Sequence, residues 1–181
     1  LFEPMVAECI DDYERLNVPR DQWIFRHLWD GDIPSVAFLD ALMRLADSFT
    51  DVKFWVYTRS FGYVREWLST SNKFVPDNFK LYLSVDKYNK ERLRELNLHR
   101  GDSNEYSYAF CGNTFAETSA MAKHMGLKPQ LKCPEQSDRL GLVEWVPKRY
   151  TERGKRIGQG ACSACGWCVE GKGNVQFAVN P

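Results

Sequence analysis

A strand and the turn that ends it set the architecture of the chain: Val52-Lys-Phe-Trp-Val-Tyr57, followed by Thr58-Arg-Ser60. The first six residues are rich in β-branched and aromatic side chains, which favour a strand. A helix is predicted to follow, from about Gly62 to Leu68. The stretch therefore predicts one complete strand–turn–helix unit.

The unit before this one has the same pattern. The run from Gln22 to Leu28 resembles a strand, and the polar turn from Trp29 to Pro34 follows it. Ser35 suits the N-cap of the next helix. Apolar residues then recur at helical spacing and form one stripe: Leu39, Leu42, Met43 and Ala46.

The pattern continues after the central unit. A strand is predicted from Asn78 to Val85, and Asn89 can cap a charged helix that runs to about Leu96. A fourth strand is predicted from Tyr106 to Cys111.

The fourth unit also contains a helix start signal. Thr114 and Glu117 have capping-box spacing, which predicts a helix through Met125. Two further short strands are predicted later in the chain, from Val143 to Val146 and from Gln176 to Val179.

Alternating strands and helices favour an α/β fold with a mostly parallel sheet. The units are too few for an eight-unit barrel, so we expect a partial, open β/α barrel of about four to six strands; a three-layer sandwich is the alternative. The length of 181 residues favours one domain. Within it we expect the partial barrel at about 20–147 and a loop-rich metal-binding segment at 148–181.

The composition limits the classes of function. The 24 basic residues are balanced by 24 acidic residues, so no strong case exists for nucleic-acid binding, which usually needs a basic excess. No apolar run approaches the ~20 residues that span a membrane. Glu3 and Glu8 interrupt the first ten residues, which do not resemble a signal peptide. We therefore expect a cytoplasmic protein.

The cysteines near the end of the chain form the most specific motif. Cys162-Ser-Ala-Cys165-Gly-Trp-Cys168 is a C-x2-C-x2-C run, and the remote Cys133 is followed by Pro134. Ferredoxin clusters use a similar run together with a remote cysteine that precedes proline. The spacing predicts a [4Fe–4S] cluster on Cys133, Cys162, Cys165 and Cys168.

Two other interpretations compete with a cluster on these cysteines. A structural zinc ion also takes four thiolates, although zinc ribbons usually present two separated C-x2-C pairs. Disulfides are disfavoured in a reducing compartment. Two cysteines lie outside the motif, Cys9 and Cys111. Cys111 ends an apolar strand, so a buried small side chain is the simpler interpretation, with a role as a reserve ligand if Cys133 is not used.

A second candidate site lies where the predicted strands end. The carboxyl ends of parallel strands meet at one edge of a sheet, where ligands usually bind. Several polar side chains follow these ends and define a candidate pocket: His27, Asp32, Arg59, Ser60 and Asp86. Arg59 can hold a carboxylate or phosphate, and His27 can transfer protons near neutral pH. The alternative is a structural network in which Arg59 pairs with Asp32 or Asp86 and the remaining groups cap helices.

A family resemblance rests on five stretches of the chain. They are Phe25-Arg-His-Leu-Trp-Asp-Gly-Asp32, Lys53-Phe-Trp-Val-Tyr-Thr-Arg-Ser60, Leu83-Ser-Val-Asp86, Cys133-Pro-Glu-Gln136 and the terminal cysteine run. Together they resemble the bacteriophage gene product 88 family, over about residues 20–170. That family is distantly similar to radical S-adenosylmethionine enzymes such as spore photoproduct lyase, which implies a truncated barrel of that type and an iron–sulfur cluster.

One departure from those enzymes bears on function. They carry C-x3-C-x2-C after the first strand, whereas Trp29 to Pro34 contains no cysteine. A cluster held by four thiolates leaves no vacant iron for S-adenosylmethionine. We therefore expect a phage iron–sulfur protein, monomeric in the host cytoplasm, with a structural, redox or host-protein-binding role. The alternatives are an enzyme acting on a small anionic substrate at the strand ends, and a zinc-stabilised interaction module.

Overall fold

The computed structural model describes most of the chain. The described residues are 2–28, 31–70, 74–98, 105–127, 131–134, 149–150, 156–157, 162 and 165–179. Among them, no helix combines the length and the hydrophobicity that crossing a bilayer requires.

Five helices and eight strands form the described structure. The helices are α1 (Phe2–Arg15), α2 (Val36–Ser48), α3 (Phe61–Ser69), α4 (Lys90–Glu95) and α5 (Phe115–His124). The strands are β1 (Ile24–Arg26), β2 (Lys53–Thr58), β3 (Phe79–Val85), β4 (Ser107–Gly112), β5 (Leu131–Lys132), β6 (Arg149–Tyr150), β7 (Arg156–Ile157) and β8 (Val175–Ala178).

Six of the strands form one open, curled half-barrel, which confirms the predicted fold class. Their order is β1-β2-β3-β4-β8-β5, and all neighbours are parallel. Strand β8 comes last in the order of the chain but lies between β4 and β5 in the sheet. β6 and β7 form a separate antiparallel pair.

The predicted units of the first two thirds of the chain are present, with small shifts at their ends. β8 corresponds to the strand predicted at Gln176–Val179, whereas the strand predicted at Val143–Val146 lies outside the described residues. Helix α1 and the two-residue strands β5, β6 and β7 were not predicted. Although Val6 is the only buried residue of α1, Phe2, Val6, Ile10 and Tyr13 recur at helical spacing and pack on the core, so an apolar stripe was an available signal for this helix.

Local hydrogen bonds begin two of the helices as predicted. Ser35 Oγ accepts the N–H of Phe38 at 3.1 Å, and Thr114 Oγ1 accepts the N–H of Glu117 at 3.2 Å. The Glu117 carboxylate does not return to Thr114 but accepts the N–H of Asn113, one residue earlier, at 2.7 Å. Both caps satisfy backbone donors that the first helical turn leaves without partners.

The two faces of the sheet have different environments, because side chains alternate along a strand. One face packs against the helices and forms the main core, with buried side chains that include Phe54, Val56, Phe79, Leu81, Leu83 and Phe110. The opposite face is called the inner face here. A smaller cluster covers it, built on Tyr82, Ala109 and Val175, with Tyr57, Cys133, Trp167, Cys168 and Phe177 packed against them.

Candidate functional site

The fold brings the cysteine motif to the inner face from two directions. Cys133 follows β5, and its N–H donates to the Gln176 carbonyl at 2.8 Å, which continues the pairing of β5 with β8. The C-x2-C-x2-C segment lies just before β8, and the Gly166 N–H donates to the Cys162 carbonyl at 2.8 Å. Gly166 has a positive φ of 67°, a conformation that glycine adopts without strain. The pairing of β5 with β8 thus brings the remote cysteine to the run.

The Cys168 thiol lies within electrostatic reach of the other three thiols of the motif. The pKa of Cys168 is raised to about 12, first by burial and then by the thiols of Cys162, Cys133 and Cys165. Several thiolates crowded together in a half-buried place repel one another, so protons remain bound unless a cation takes their place. A metal centre is such a cation, and binding one releases the protons. As the four thiols stand, Cys168 therefore keeps its proton at neutral pH.

Two tyrosines of the sheet contact the same thiols. The Tyr57 hydroxyl donates a hydrogen bond to the Cys168 sulfur, and the pKa values of both Tyr57 and Tyr82 are raised, first by burial and then by Cys168. The Arg26 guanidinium lies over the Tyr57 ring, with its central carbon 4.9 Å from the ring centroid. On the inner face, the Tyr57 hydroxyl is therefore a hydrogen-bond donor for the Cys168 sulfur, and the Arg26 guanidinium lies over the Tyr57 ring.

A tryptophan closes the loop beside the cysteines. The indole N–H of Trp167 donates to the Gly173 carbonyl at 3.1 Å, and the Tyr82 hydroxyl donates to the same carbonyl at 3.3 Å. These bonds fix the loop before β8 against the sheet, and Trp167 packs on the inner-face cluster. Trp167 therefore packs in the same cluster as Cys133 and Cys168, whereas Cys162 is exposed.

The remaining cysteines lie elsewhere. Cys9 lies on α1, and Cys111, at the end of β4, donates its S–H to the Ala109 carbonyl at 3.6 Å. None of the six cysteines, all of them in the described part of the chain, forms a disulfide. Within that same part, no three Cys, His, Asp or Glu side chains stand in a group that would enclose a single metal ion.

Asp32 connects the first two strand ends of the predicted pocket. Its Oδ1 accepts the Thr58 hydroxyl and the Ile33 N–H, the latter at 2.7 Å, and its Oδ2 accepts the Arg59 N–H at 2.8 Å. Ser60 strengthens the same junction, since its hydroxyl donates to the Ile33 carbonyl at 2.7 Å. Asp32 and Ser60 therefore hold the backbone of this edge in place.

Arg59 and Asp86 connect the next two strand ends. Arg59 Nη2 lies 3.1 Å from Asp86 Oδ2, and Asp86 Oδ1 accepts the N–H groups of Tyr88 and Asn89 at 2.8 and 3.0 Å. Asn89 completes the turn by accepting the Asp86 N–H at 2.8 Å, instead of capping α4 as predicted. The structure thus brings Asp32, Arg59, Ser60 and Asp86 together at one edge, joined by hydrogen bonds and an ion pair.

The structure does not bring His27 to this edge. Its side chain is 1% exposed and stacks on Phe54 and Phe79, with ring centroids 5.3 and 5.9 Å apart. Phe2 and Phe25 also contact the imidazole, and burial lowers its pKa to about 4. Strand β1 ends at Arg26, so alternation directs Arg26 to the inner face and His27 into the helix-covered core. The proton-transfer role predicted for His27 has no geometric basis in this position.

Replacing Asp32 with alanine is expected to lower the free energy of unfolding by about 2–3 kcal/mol. The change leaves three hydrogen-bond donors without their charged acceptor. A hydrogen bond to a charged group contributes about 1.5–3 kcal/mol, and water that reaches the freed donors offsets part of the loss. Chemical denaturation at neutral pH measures the loss. Asp51→Ala is the matched control, because Asp51 forms only an exposed ion pair with Arg20 and should cost less than about 1 kcal/mol. Equal losses in the two variants would contradict this account of Asp32.

A cleft of about 240 Å³ opens at the edge that carries Arg59 and Asp86; it is called the strand-end cleft here. Its walls come from the ends of β2, β3, β4 and β8 and the turns after them, and its lining includes Arg59, Lys87, Tyr88, Cys111, Asn113 and Phe177. Sequence reasoning missed Lys87, Tyr88 and Phe177 as site residues. Lys87 and Tyr88 directly follow the end of a strand, and that position was an available signal in the sequence. Phe177 lines the cleft because of the place of β8 in the sheet, which the sequence does not reveal.

The comparisons with known proteins identify relatives in bacteriophages. The family model described as Gene product 88 matches residues 1–171. The Gene 88 protein of Mycobacterium phage L5 is 30% identical over 183 residues, which cover 99% of this chain and 63% of that protein. The Gene 88 protein of Mycobacterium phage D29 is 28% identical over 184 residues, with the same two shares. The chain thus spans less than two thirds of the length of these relatives, and no solved structure matches it.

Proposed function

The chain belongs to the gene product 88 family of phage proteins, and on that premise we propose that it is an iron–sulfur protein whose [4Fe–4S] cluster is held by Cys133, Cys162, Cys165 and Cys168. The observation that supports the proposal is the position of Cys133 and Cys168, which the fold packs in the same inner-face cluster although they are 35 residues apart in the sequence. The thiols of Cys162 and Cys165 are near enough to Cys168 to raise its pKa.

The sequence spacing of the cysteines favours a cluster over one zinc ion, because three of them form one contiguous C-x2-C-x2-C run, whereas zinc ribbons usually present two separated C-x2-C pairs. Zinc–sulfur bonds of about 2.3 Å in a tetrahedron place the four sulfurs about 3.8 Å apart. A four-iron cluster carries one thiolate at each of four separate corners, so its ligands stand farther apart. The sulfur–sulfur distances of the metal-loaded protein therefore distinguish the two centres.

The surroundings of the thiols suit a cluster with four protein ligands. The Tyr57 hydroxyl supplies a hydrogen bond to the Cys168 sulfur, and Arg26 supplies a positive charge beyond the Tyr57 ring. Hydrogen bonds to sulfur, net charge and solvent exposure set the reduction potential of such clusters. When bound, the group supplies one-electron chemistry, while Trp167 limits the access of water to it.

The cluster also has a structural task in this proposal. Cys133 directly follows β5, and the other three proposed ligands lie before β8. A centre that joins these two places fastens the last two strands of the half-barrel to each other. The half-barrel itself is consistent with a truncated radical S-adenosylmethionine scaffold that lacks the cysteine motif after β1. We therefore assign the cluster a structural or redox role rather than radical chemistry.

Single-cysteine variants test the ligand assignment. Iron and acid-labile sulfide are measured on protein purified without oxygen, for alanine replacements of each of the six cysteines. We expect replacement of any of the four proposed ligands to lower the iron content at least severalfold, because a missing thiolate exposes one corner of the cluster. The variants Cys9→Ala and Cys111→Ala are the internal controls and should retain wild-type iron.

Two outcomes would overturn the assignment. Loss of iron in Cys111→Ala together with retention in Cys133→Ala would replace Cys133 by Cys111 as the fourth ligand. Zinc in place of iron in every preparation would make the chain a zinc-stapled scaffold, and pull-down of host proteins with the intact metal site would then become the informative experiment.

A further inference from the structure

The strand-end cleft has the position of a ligand site in a parallel sheet. It has a volume of about 240 Å³ and lies beyond the carboxyl ends of β2, β3, β4 and β8. Open parallel sheets bind small molecules at this edge because loops of adjustable length converge there on a rigid frame.

The apolar part of the cleft consists of side chains that a flat ring can cover. Phe177 lines the cleft, while Tyr88 and Val179, which also line it, are 85% and 78% exposed. These two are the most exposed of the large hydrophobic side chains among the described residues. Covering such side chains with a ring removes apolar surface from water, and tyrosine stacks readily on planar groups.

The cationic part of the cleft lies beside the apolar part. Lys87 Nζ lies 4.9 Å from the centre of the Tyr88 ring, and the Arg59 side chain is 59% exposed. The contact of Arg59 with Asp86 involves one of its terminal nitrogens, Nη2. A guanidinium carries five N–H donors in a planar fork, so further donors remain for an anion.

The carboxylates of the cleft are already engaged with the backbone. Asp86 accepts the N–H groups of Tyr88 and Asn89, and Glu117 accepts the N–H of Asn113. Backbone donors that bind a carboxylate offset part of its charge. The acidic groups therefore oppose an incoming anion less than their number suggests.

We propose that the strand-end cleft binds a small molecule that joins a planar ring system to one anionic group, as in a nucleoside monophosphate. The ring lies against Phe177 and Tyr88, and the anionic group lies at Arg59 and Lys87. The proposal goes beyond the cluster-binding function and does not depend on which metal the cysteines hold.

Calorimetric titration of the metal-replete full chain tests the proposal. The probes are the monophosphates of adenosine, guanosine, cytidine and uridine, together with the two halves of each: the free nucleoside and ribose 5-phosphate. We expect at least one monophosphate to bind, and each of its halves to bind at least tenfold more weakly, because each half satisfies only one part of the cleft.

Variants then assign the two parts of the cleft. Arg59→Gln should weaken the monophosphate at least tenfold and leave the nucleoside unchanged, since a charged hydrogen bond contributes about 1.5–3 kcal/mol. Tyr88→Ala should weaken both about tenfold, in line with the ~1–3 kcal/mol of one stacked base. Arg20→Gln is the matched control, because Arg20 also pairs with an aspartate at the surface, 2.6 Å from Asp51, but precedes β1 at the opposite edge.

The proposal is overturned if none of the four monophosphates binds at millimolar concentration. It is equally overturned if a monophosphate binds to the Arg59→Gln variant as strongly as to the Arg20→Gln variant. Because the readout is binding alone, failure here leaves the iron content and the cluster assignment untouched.

Discussion

Replacement of Cys165 by alanine is expected to leave most of the chain in the insoluble fraction. The proposed cluster fastens the end of β5 to the segment before β8, and these two strands are only two and four residues long. Metal binding coupled to folding contributes about 10–16 kcal/mol in structural zinc sites, whereas a typical domain has a total stability of about 5–15 kcal/mol. Losing even a part of such a contribution unfolds the last third of the sheet. The soluble yield and the thermal unfolding midpoint measure the effect.

The matched control for Cys165→Ala is alanine replacement of a cysteine outside the proposed ligand set. Cys9→Ala removes a half-buried thiol from α1 and should change the midpoint by a few degrees at most. A Cys165→Ala protein that is soluble, fully folded and free of metal would contradict a cluster that is coupled to folding.

His27 is expected to make the chain less stable at mildly acidic pH. Its folded-state pKa of about 4 lies below the ordinary value of 6.5, because burial among aromatic rings disfavours the charged imidazole. Between these two values the unfolded chain binds the proton and the folded chain does not. Stability is therefore fully present above pH 6.5 and is lost as the pH falls towards 4, by about 3 kcal/mol in total at ~1.4 kcal/mol per pKa unit.

Urea unfolding of the wild type and of His27→Phe between pH 7.5 and pH 4.5 measures this effect. Phenylalanine fits between Phe54 and Phe79 and cannot be protonated, so the variant should lose less stability on acidification than the wild type. His124→Gln, measured over the same pH range, is the control, since His124 is exposed on α5 and lies outside the aromatic core around His27. Parallel pH profiles for wild type and His27→Phe would show that the imidazole is already charged or solvated in the folded chain.

The parts of the fold that depend on local sequence were predictable. Helices α2 and α5 begin at Ser35 and Thr114 because each side chain caps the helix that follows it. Strands β2 and β3 were visible as runs of strand-forming residues. The insertion of β8 between β4 and β5 was not predictable, because it depends on pairing with residues more than forty positions away.

The candidate sites show the same division. The four cysteines were proposed as ligands from the C-x2-C-x2-C run and the Cys133-Pro134 pair, whereas the position of Tyr57 and Arg26 depends on strand alternation, which directs both to the inner face. The same alternation places His27 in the core, and applying it to β1 would have separated Arg26 from His27. Phe177 lines the strand-end cleft because β8 pairs with β4, which is distant in the sequence, so no local sequence pattern predicted its place there.

The most direct test of the central claim is the iron, sulfide and zinc content of the chain purified without oxygen, together with its visible absorption spectrum. The account predicts about four irons and four sulfides per chain and a broad brown absorption near ~400 nm, as expected of a [4Fe–4S] centre. One zinc per chain and a colourless solution would contradict it, and the four thiols would then be a structural zinc site.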